Sequence, residues 1–339
     1  MEEISLASRF ENFVRWIRPD PDTSDDTERQ RAAVRSRIKD KAEKDGLTVK
    51  SMPDSGSFAK ATGLRRHMLG DAEHEGQDVD CAFVVDRRDE DGDVLTELLE
   101  RFDGYAEQSY PGTPREPTRS SVKLLFVVTK RNFDIVPMLA VEGRPEEQIL
   151  LRANGERRRT SVQKHVEFVR SRTRASRKLP AGVAFNDGVR LVKWWREYQV
   201  TKSKLLGEVP TFLLDLLCAK AFDEISVQGD FVATLQGWFD KIHSYAFHRT
   251  TVTFPDFAAA RPEAIKAKWK VIDPVNPENN AVPGAWGGIQ IDEFRDWARD
   301  ARDKLQLAMA NDIRGRHGEA LELVAEVLGP SFKNHSEPL

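Results

Sequence analysis

Residues 4–18 place apolar side chains at Ile4, Leu6, Phe10, Phe13, Val14 and Ile17, mostly at the spacing of an amphipathic helix. Prolines and aspartates break the pattern at 19–24, and a long, charge-laced helix is expected over 25–45. Alternation takes over at 47–52, a first strand that runs into Ser55-Gly56-Ser57 and a helical-looking 58–64. Residues 79–85 form an apolar run of the right length for a strand buried on both faces. An acidic loop at 86–93 precedes a helix over 94–103. Three prolines in 110–117 predict a loop there. Strands at 122–128 and 133–138 flank Thr129-Lys130-Arg131-Asn132 and read as a hairpin.

After about residue 140 strand signals become rare. Helical patterns cover 160–172, 183–199, 211–224, 230–243, 258–269 and 291–327. The expected fold class is α+β, a mixed-sheet lobe followed by a C-terminal helical lobe. The expected division is 1–160, N-terminal helices included, then 161–330, with 331–339 a frayed tail. The 339 residues suffice for a substantial core. With 40% hydrophobic and 32% charged residues the chain reads as soluble, and a net charge of −3 gives no reason for a global affinity for nucleic acid or membrane. No apolar run is long enough to span a bilayer, and the acidic N-terminus lacks a signal-peptide pattern. A cytoplasmic protein is expected. Cys81 and Cys218 both lie in apolar runs and read as core thiols, with neither a disulfide framework nor a Cys-rich zinc site.

The candidate chemistry is carried by Asp78, Asp80 and Asp134, together with the Gly56-Ser57 turn. Two aspartates one residue apart on a strand share a face. Asp134 interrupts another apolar strand, and the hairpin offers a way to bring it beside them. Buried carboxylates without compensation are costly, so these three should coordinate a cation or meet solvent. Hard oxygen ligands suit Mg²⁺, with Mn²⁺ as the variant, rather than zinc. Two such ions about 4 Å apart would neutralise the leaving pyrophosphate and activate an attacking hydroxyl, whose proton Asp134 is best placed to take. A Gly-Ser turn offers backbone N–H groups and a hydroxyl to a β- or γ-phosphate. Each part has a plainer reading: a strand that merely begins with acids, and an ordinary surface turn.

Ser-Gly-Ser-Phe-Ala-Lys-Ala-Thr-Gly-Leu at 55–64, Asp-Val-Asp at 78–80 and Phe-Asp-Ile-Val-Pro at 133–137 resemble the polymerase-β-type nucleotidyltransferases. The resemblance is to the branch with 2′-5′ oligoadenylate synthetases, cyclic GMP-AMP synthase and the bacterial cGAS/DncV-like enzymes (CD-NTases). Val192-Lys193-Trp194-Trp195, the segment Val209-Pro210-Thr211-Phe212-Leu213-Leu214, and the Asp273-to-Asn280 loop extend it over about 45–285. It implies a polymerase-β-like lobe with a mixed sheet, and Gly56, Ser57, Gln77, Lys193 and Thr211 as contacts to the nucleoside triphosphate, ATP or GTP. It also implies a cyclic di- or trinucleotide product, a separate effector that responds to it, and antiphage (CBASS) defence, with a regulatory protein partner in some relatives. A linear oligonucleotide synthetase or a tRNA-tailing enzyme shares the same triad, and a non-catalytic module could share the fold.

Plainer roles stand beside these. Lys193 reads as a solvated cation on a helix edge, Thr211 as an N-cap, and Asp273, Asn279 and Asn280 as turn formers. The connection 65–77 is longer than in most relatives, and Gln77 stands where a serine is usual. It reads as a pocket lining or a polar loop. The His-Cys-Cys-Cys zinc module of the animal DNA sensor is missing, so zinc-dependent DNA sensing is not implied. The basic stretch 152–178 reads either as a solvated helix face or as a surface for nucleotides or an oligonucleotide product. The tryptophans read mostly as core.

Overall fold

The structure, a computed structural model, describes residues 4–65, 67–69, 72–74, 79–86, 94–118, 120–129, 131–151, 157–204, 208–257, 263 and 265–337. In chain order the first half contains α1 (Leu6–Ile17), α2 (Pro21–Lys44), β1 (Val49–Ser51), α3 (Gly56–Ala59), β2 (His67–Leu69), β3 (Ala72–His74), β4 (Val79–Val85) and α4 (Val94–Ser109). Then come β5 (Arg115–Pro117), β6 (Val122–Phe126), β7 (Arg131–Val141), β8 (Arg144–Leu151), β9 (Arg157–Thr160) and α5 (Val162–Ser176). The remaining helices are α6 (Phe185–Val200), α7 (Thr211–Ile225), α8 (Phe231–Phe247), α9 (Gly288–Ile313), α10 (His317–Leu328) and α11 (Pro330–His335). Among the described residues no helix is long and apolar enough to cross a membrane.

Contacts divide the chain into a sheet unit, within Pro19–Met68 and Ala72–Glu167, and a helical unit, within Met1–Arg18, Leu69–Asp71 and Phe168–Leu339. The sheet unit holds a mixed sheet in the order β1-β4-β7-β6-β5, with β8 also on β7 and β9 on β8. β4 and β7 are parallel; the other pairs are antiparallel. One face of the sheet packs on α2 and α4. Val34, Ile38 and Ala42, spaced four apart on α2, meet Val79, Cys81, Phe83, Phe133 and Ile135, with Leu98 and Phe102 from α4 closing the core. The hairpin of β6 and β7 forms as the sequence suggests.

The helical unit is built on rings. Phe332 of α11 lies 4.9 Å from Phe10 and 5.0 Å from Phe13, and Phe13 meets Trp194 edge-on at 5.4 Å. These contacts are why α1 belongs with the helical unit, whereas the sequence reading grouped it with the sheet lobe. They also correct the frayed tail expected from 331: α11 opens with Pro330 and buries Phe332 completely. Trp194 donates its indole N–H to the Leu328 carbonyl at 2.8 Å. Trp194, Trp195, Trp238 and Trp269 are all core residues.

Other expectations shift for local reasons. The break at 19–24 shrinks because Pro21 opens α2, where its missing N–H costs nothing. The loop at 110–117 ends in the short edge strand β5, a position where Pro117 is tolerated. β8 and β9 were absent from the sequence reading. Arg157, Arg158 and Arg159 have no strand alternation of their own and are held by the ladder to β8. The helix expected over 291–327 is two helices, parted at Gly315, whose φ of +74° ends α9. Of the helix expected over 258–269, residues 258–262 and 264 lie outside the described set and 265–269 are not helical.

Candidate active site

Alternation along β4 and β7 sorts their side chains. Val79, Cys81 and Phe83, like Phe133 and Ile135, enter the core against α2 and α4. Ala82, Val84 and Met138 turn to the other face, where they pack with Val162. Asp80 and Asp134 have the parity of this second face. Because the two strands are parallel and in register, Asp80 sits directly beside Asp134. Both are half-buried, while Val79, Cys81, Phe133 and Ile135 on either side are no more than 2% exposed. The two carboxylates therefore avoid the full desolvation cost of the core. It is β7 itself, not β6, that lies next to β4, so the hairpin delivers Asp134 by placing β7 between β4 and β6.

The Gly-Ser turn lies on this carboxylate row. Asp54 forms an isolated antiparallel bridge with Cys81, and the Ser55 hydroxyl donates to the Asp80 carbonyl at 3.3 Å. Gly56 has φ +72°, and a Cβ there would stand 1.6 Å from Asp80 Oδ2. A side chain at position 56 and the present Asp80 carboxylate cannot coexist. Ser57 follows, half-buried, and its carbonyl accepts from Thr62 N–H at 2.9 Å.

Asp78 and Gln77 lie outside the described residues, as do Arg66, Gly70, Asp71, Glu75 and Gly76 of the connecting segment. His67–Leu69 and Ala72–His74 pair as a small two-stranded sheet. Among the described residues no group of three or more His, Cys, Asp or Glu side chains is placed to hold a metal ion. Asp80 and Asp134 are the described pair of the expected three.

Lys193 and Thr211 belong to the helical unit. Lys193 is not the solvated cation of the plainer reading: it is 5% exposed and its Nζ lies 2.8 Å from Asp215 Oδ1. Thr211 is exposed and is the first residue of α7; the N-cap is Pro210, so Thr211 does not cap. The loop from Asp273 is architectural. Asp273 Oδ1 accepts from the N–H groups of Val275 and Asn276, Asn279 donates to Asp273 Oδ2 at 2.9 Å, and Asn280 ties Val271 to Trp269.

Two features escaped the sequence reading. Lys123 of β6 is the cross-strand partner of Asp134, which puts a cation in the same row as the carboxylates. The expected hairpin, with its loop at 129–132, sets Val127 opposite Asp134; the ladder instead pairs Phe126 with Arg131, and that shift brings Lys123 there. Arg31 and Arg35 of α2 both donate to Asp54 Oδ1, at 2.8 and 2.9 Å. Burial raises the Asp54 pKa, but the hydrogen bond from Arg35 and the charge of Arg31 outweigh it and leave the group below the usual carboxylate value. Burial pushes the Cys81 thiol up to about 12, so it stays protonated as a core residue.

Residues 4–172 match the profile of the Second Messenger Oligonucleotide or Dinucleotide Synthetase domain. The chain is 28% identical over 267 residues to the cyclic AMP-AMP-AMP synthase of Escherichia coli (strain MS 115-1), covering 77% of this chain and 78% of that one. It is 25% identical over 307 residues to the CBASS oligonucleotide cyclase CdnC of Escherichia coli (strain KTE188), covering 89% and 87%. The same fold occurs in E. coli MS115-1 CdnC, solved in complex with HORMA-deltaN (TM-score 0.78, 24% identity, 98% and 99% covered) and with ATP (TM-score 0.74, 24% identity, 97% and 99% covered).

The match to a synthetase domain and to a cyclic oligonucleotide synthase, with the in-register aspartates of the sheet unit, defines a nucleotidyltransferase. Within that class, the chain belongs to the cGAS/DncV-like nucleotidyltransferases, the CD-NTases.

Proposed function

We propose that this enzyme joins nucleoside triphosphates through phosphodiester bonds, releases pyrophosphate, and closes a cyclic di- or trinucleotide second messenger in bacterial antiphage (CBASS) defence. The observation that carries the chemistry is the register of Asp80 with Asp134, under a turn whose Gly56 leaves no room for a side chain. The cyclic product and its role are supported by what the relatives are.

The residues fit a divalent cation. Asp80 and Asp134 supply hard oxygen donors side by side on one sheet face, and Asp78 would be the third ligand. Bound Mg²⁺, or Mn²⁺, neutralises phosphate charge and lowers the pKa of a nearby hydroxyl. Asp134 takes the proton of the acceptor hydroxyl as its oxygen attacks the α-phosphorus. The bond from that phosphorus to pyrophosphate breaks, and the pyrophosphate leaves with the bonding electron pair. Ser57 donates its hydroxyl to a β- or γ-phosphate oxygen, and Gly56 lets the turn's backbone approach. Gln77, Lys193 and Thr211 belong to the proposal by resemblance alone.

ATP or GTP is the expected substrate, and the solved relative bound to ATP supports it. That relative's HORMA complex supports a regulatory protein partner. The proposal includes a cytoplasmic setting and a separate effector that reads the product. The test is pyrophosphate release from the four triphosphates with Mg²⁺ and with excess chelator. Release should need the metal and vanish in Asp78→Asn plus Asp80→Asn. Unchanged turnover in that double variant would end the proposal.

A further inference from the structure

The charged groups behind the Gly-Ser turn are arranged around one buried arginine. Arg31, 5% exposed on α2, donates to Asp54 on one side of the turn at 2.8 Å and to Glu28 of its own helix at 2.6 Å. Its guanidinium also lies over the ring of Phe58, on the other side of the turn, 5.1 Å from the centroid. Arg35, one helical turn on, grips the same Asp54 oxygen at 2.9 Å and the Pro53 carbonyl at 2.9 Å. The segment Ser55-Gly56-Ser57 is thus bracketed by residues that one guanidinium touches. Beneath it the turn rests on Asp80.

We propose that Arg31, with Asp54 and Arg35, is a positioning device that holds the Gly-Ser turn in its phosphate-accepting shape. This rests on the reading of that turn as a triphosphate cradle. The physical reason is that a cradle made of backbone N–H groups and one hydroxyl binds well only if those donors are fixed before the ligand arrives. A four-residue helix such as α3 has too few internal hydrogen bonds to fix itself. Arg suits the task and Lys does not: a planar fork reaches Asp54 and Glu28 together while its face covers Phe58.

The experiment uses the full chain with Mg²⁺ and compares the affinities of α,β-methylene-ATP and AMP by calorimetry, well below the melting temperature. AMP lacks the phosphates the turn would hold. Arg31→Lys should weaken the ATP analogue about ten-fold, the usual scale for a residue that orients a binding group. AMP affinity should stay within about two-fold, which is ~0.4 kcal/mol. Asp54→Asn, on a side chain that is 52% exposed, should do the same and add little to Arg31→Lys, because both break one link. It decides the matter if Arg31→Lys does not fold. An equal loss for both nucleotides would show a general structural role and overturn the inference. Unchanged binding in both variants, with the analogue weakened in Ser57→Ala, would sink the positioning role and leave the cradle standing. If Ser57→Ala also binds normally, the cradle reading fails and takes the inference with it.

Discussion

Replacing Gly56 by alanine adds one methyl group where the structure has no room for it. The new Cβ would stand 1.6 Å from Asp80 Oδ2 and 2.7 Å from the Asp80 carboxyl carbon, against 3.4–4 Å for ordinary contact. Relief requires that the turn or the carboxylate move by about 2 Å, since overlap that deep has no compensating attraction. The backbone adds its own term, because φ of +72° suits glycine and costs an alanine about 1–2 kcal/mol. The cost to folding should be near that figure, or roughly 2–8 °C in melting temperature. The effect on catalysis should be larger, because about 1 Å of misplacement at a reacting centre can cost ~100-fold. Gly56→Ala should therefore stay folded while pyrophosphate release falls by about 100-fold or more. Circular dichroism and a coupled pyrophosphate assay on the same preparation separate the two terms. Turnover within about three-fold of the parent, less than ~1 kcal/mol in barrier, would refute the assignment of this turn and Asp80 to one site.

Asp134→Asn should lower turnover by at least ~100-fold while the Kd for α,β-methylene-ATP changes little, measured by calorimetry beside the steady-state assay. Phe332→Ala should cost about 3–5 kcal/mol in chemical denaturation, because the ring fills a closed space against Phe10 and Phe13. Lys193→Met should destabilise the fold by about 3–5 kcal/mol by leaving Asp215 buried without its cation, and adding Asp215→Leu should recover most of the loss. The Asp54 carboxyl has a lower pKa folded than unfolded, so its contribution is full above the ordinary carboxylate pKa of about 4 and is lost as pH falls through the folded value. Melting curves from pH 7 to pH 3 should thus fall more steeply for the parent than for Asp54→Asn.

Much of the site could be read from the chain because it uses the simplest periodicity. A charged residue in an apolar strand stands out, and Asp80 and Asp134 do so at half-buried positions between residues that are almost fully buried. The helices α1, α6, α7 and α8 also announce themselves, since each needs a continuous apolar stripe. What escaped depends on partners distant in sequence. β9 is a run of arginines that becomes a strand only through its ladder to β8. α11 looks like a polar tail until Phe332 meets α1, more than three hundred residues earlier. Arg31 and Arg35 are two among many charges on α2, and only the folded chain shows that both reach Asp54. Lys193 is a similar case: its helix has a mixed pattern, but its ammonium is inside, held by Asp215 on the next helix.

The measurement that bears most directly on the whole account is mass spectrometry of the product formed from the four nucleoside triphosphates with Mg²⁺, after exhaustive phosphatase treatment. A cyclic di- or trinucleotide that survives phosphatase is expected, and it should be absent when Asp80→Asn replaces the parent enzyme. Linear chains with free ends that phosphatase trims, or the same cyclic product from Asp80→Asn, would contradict it.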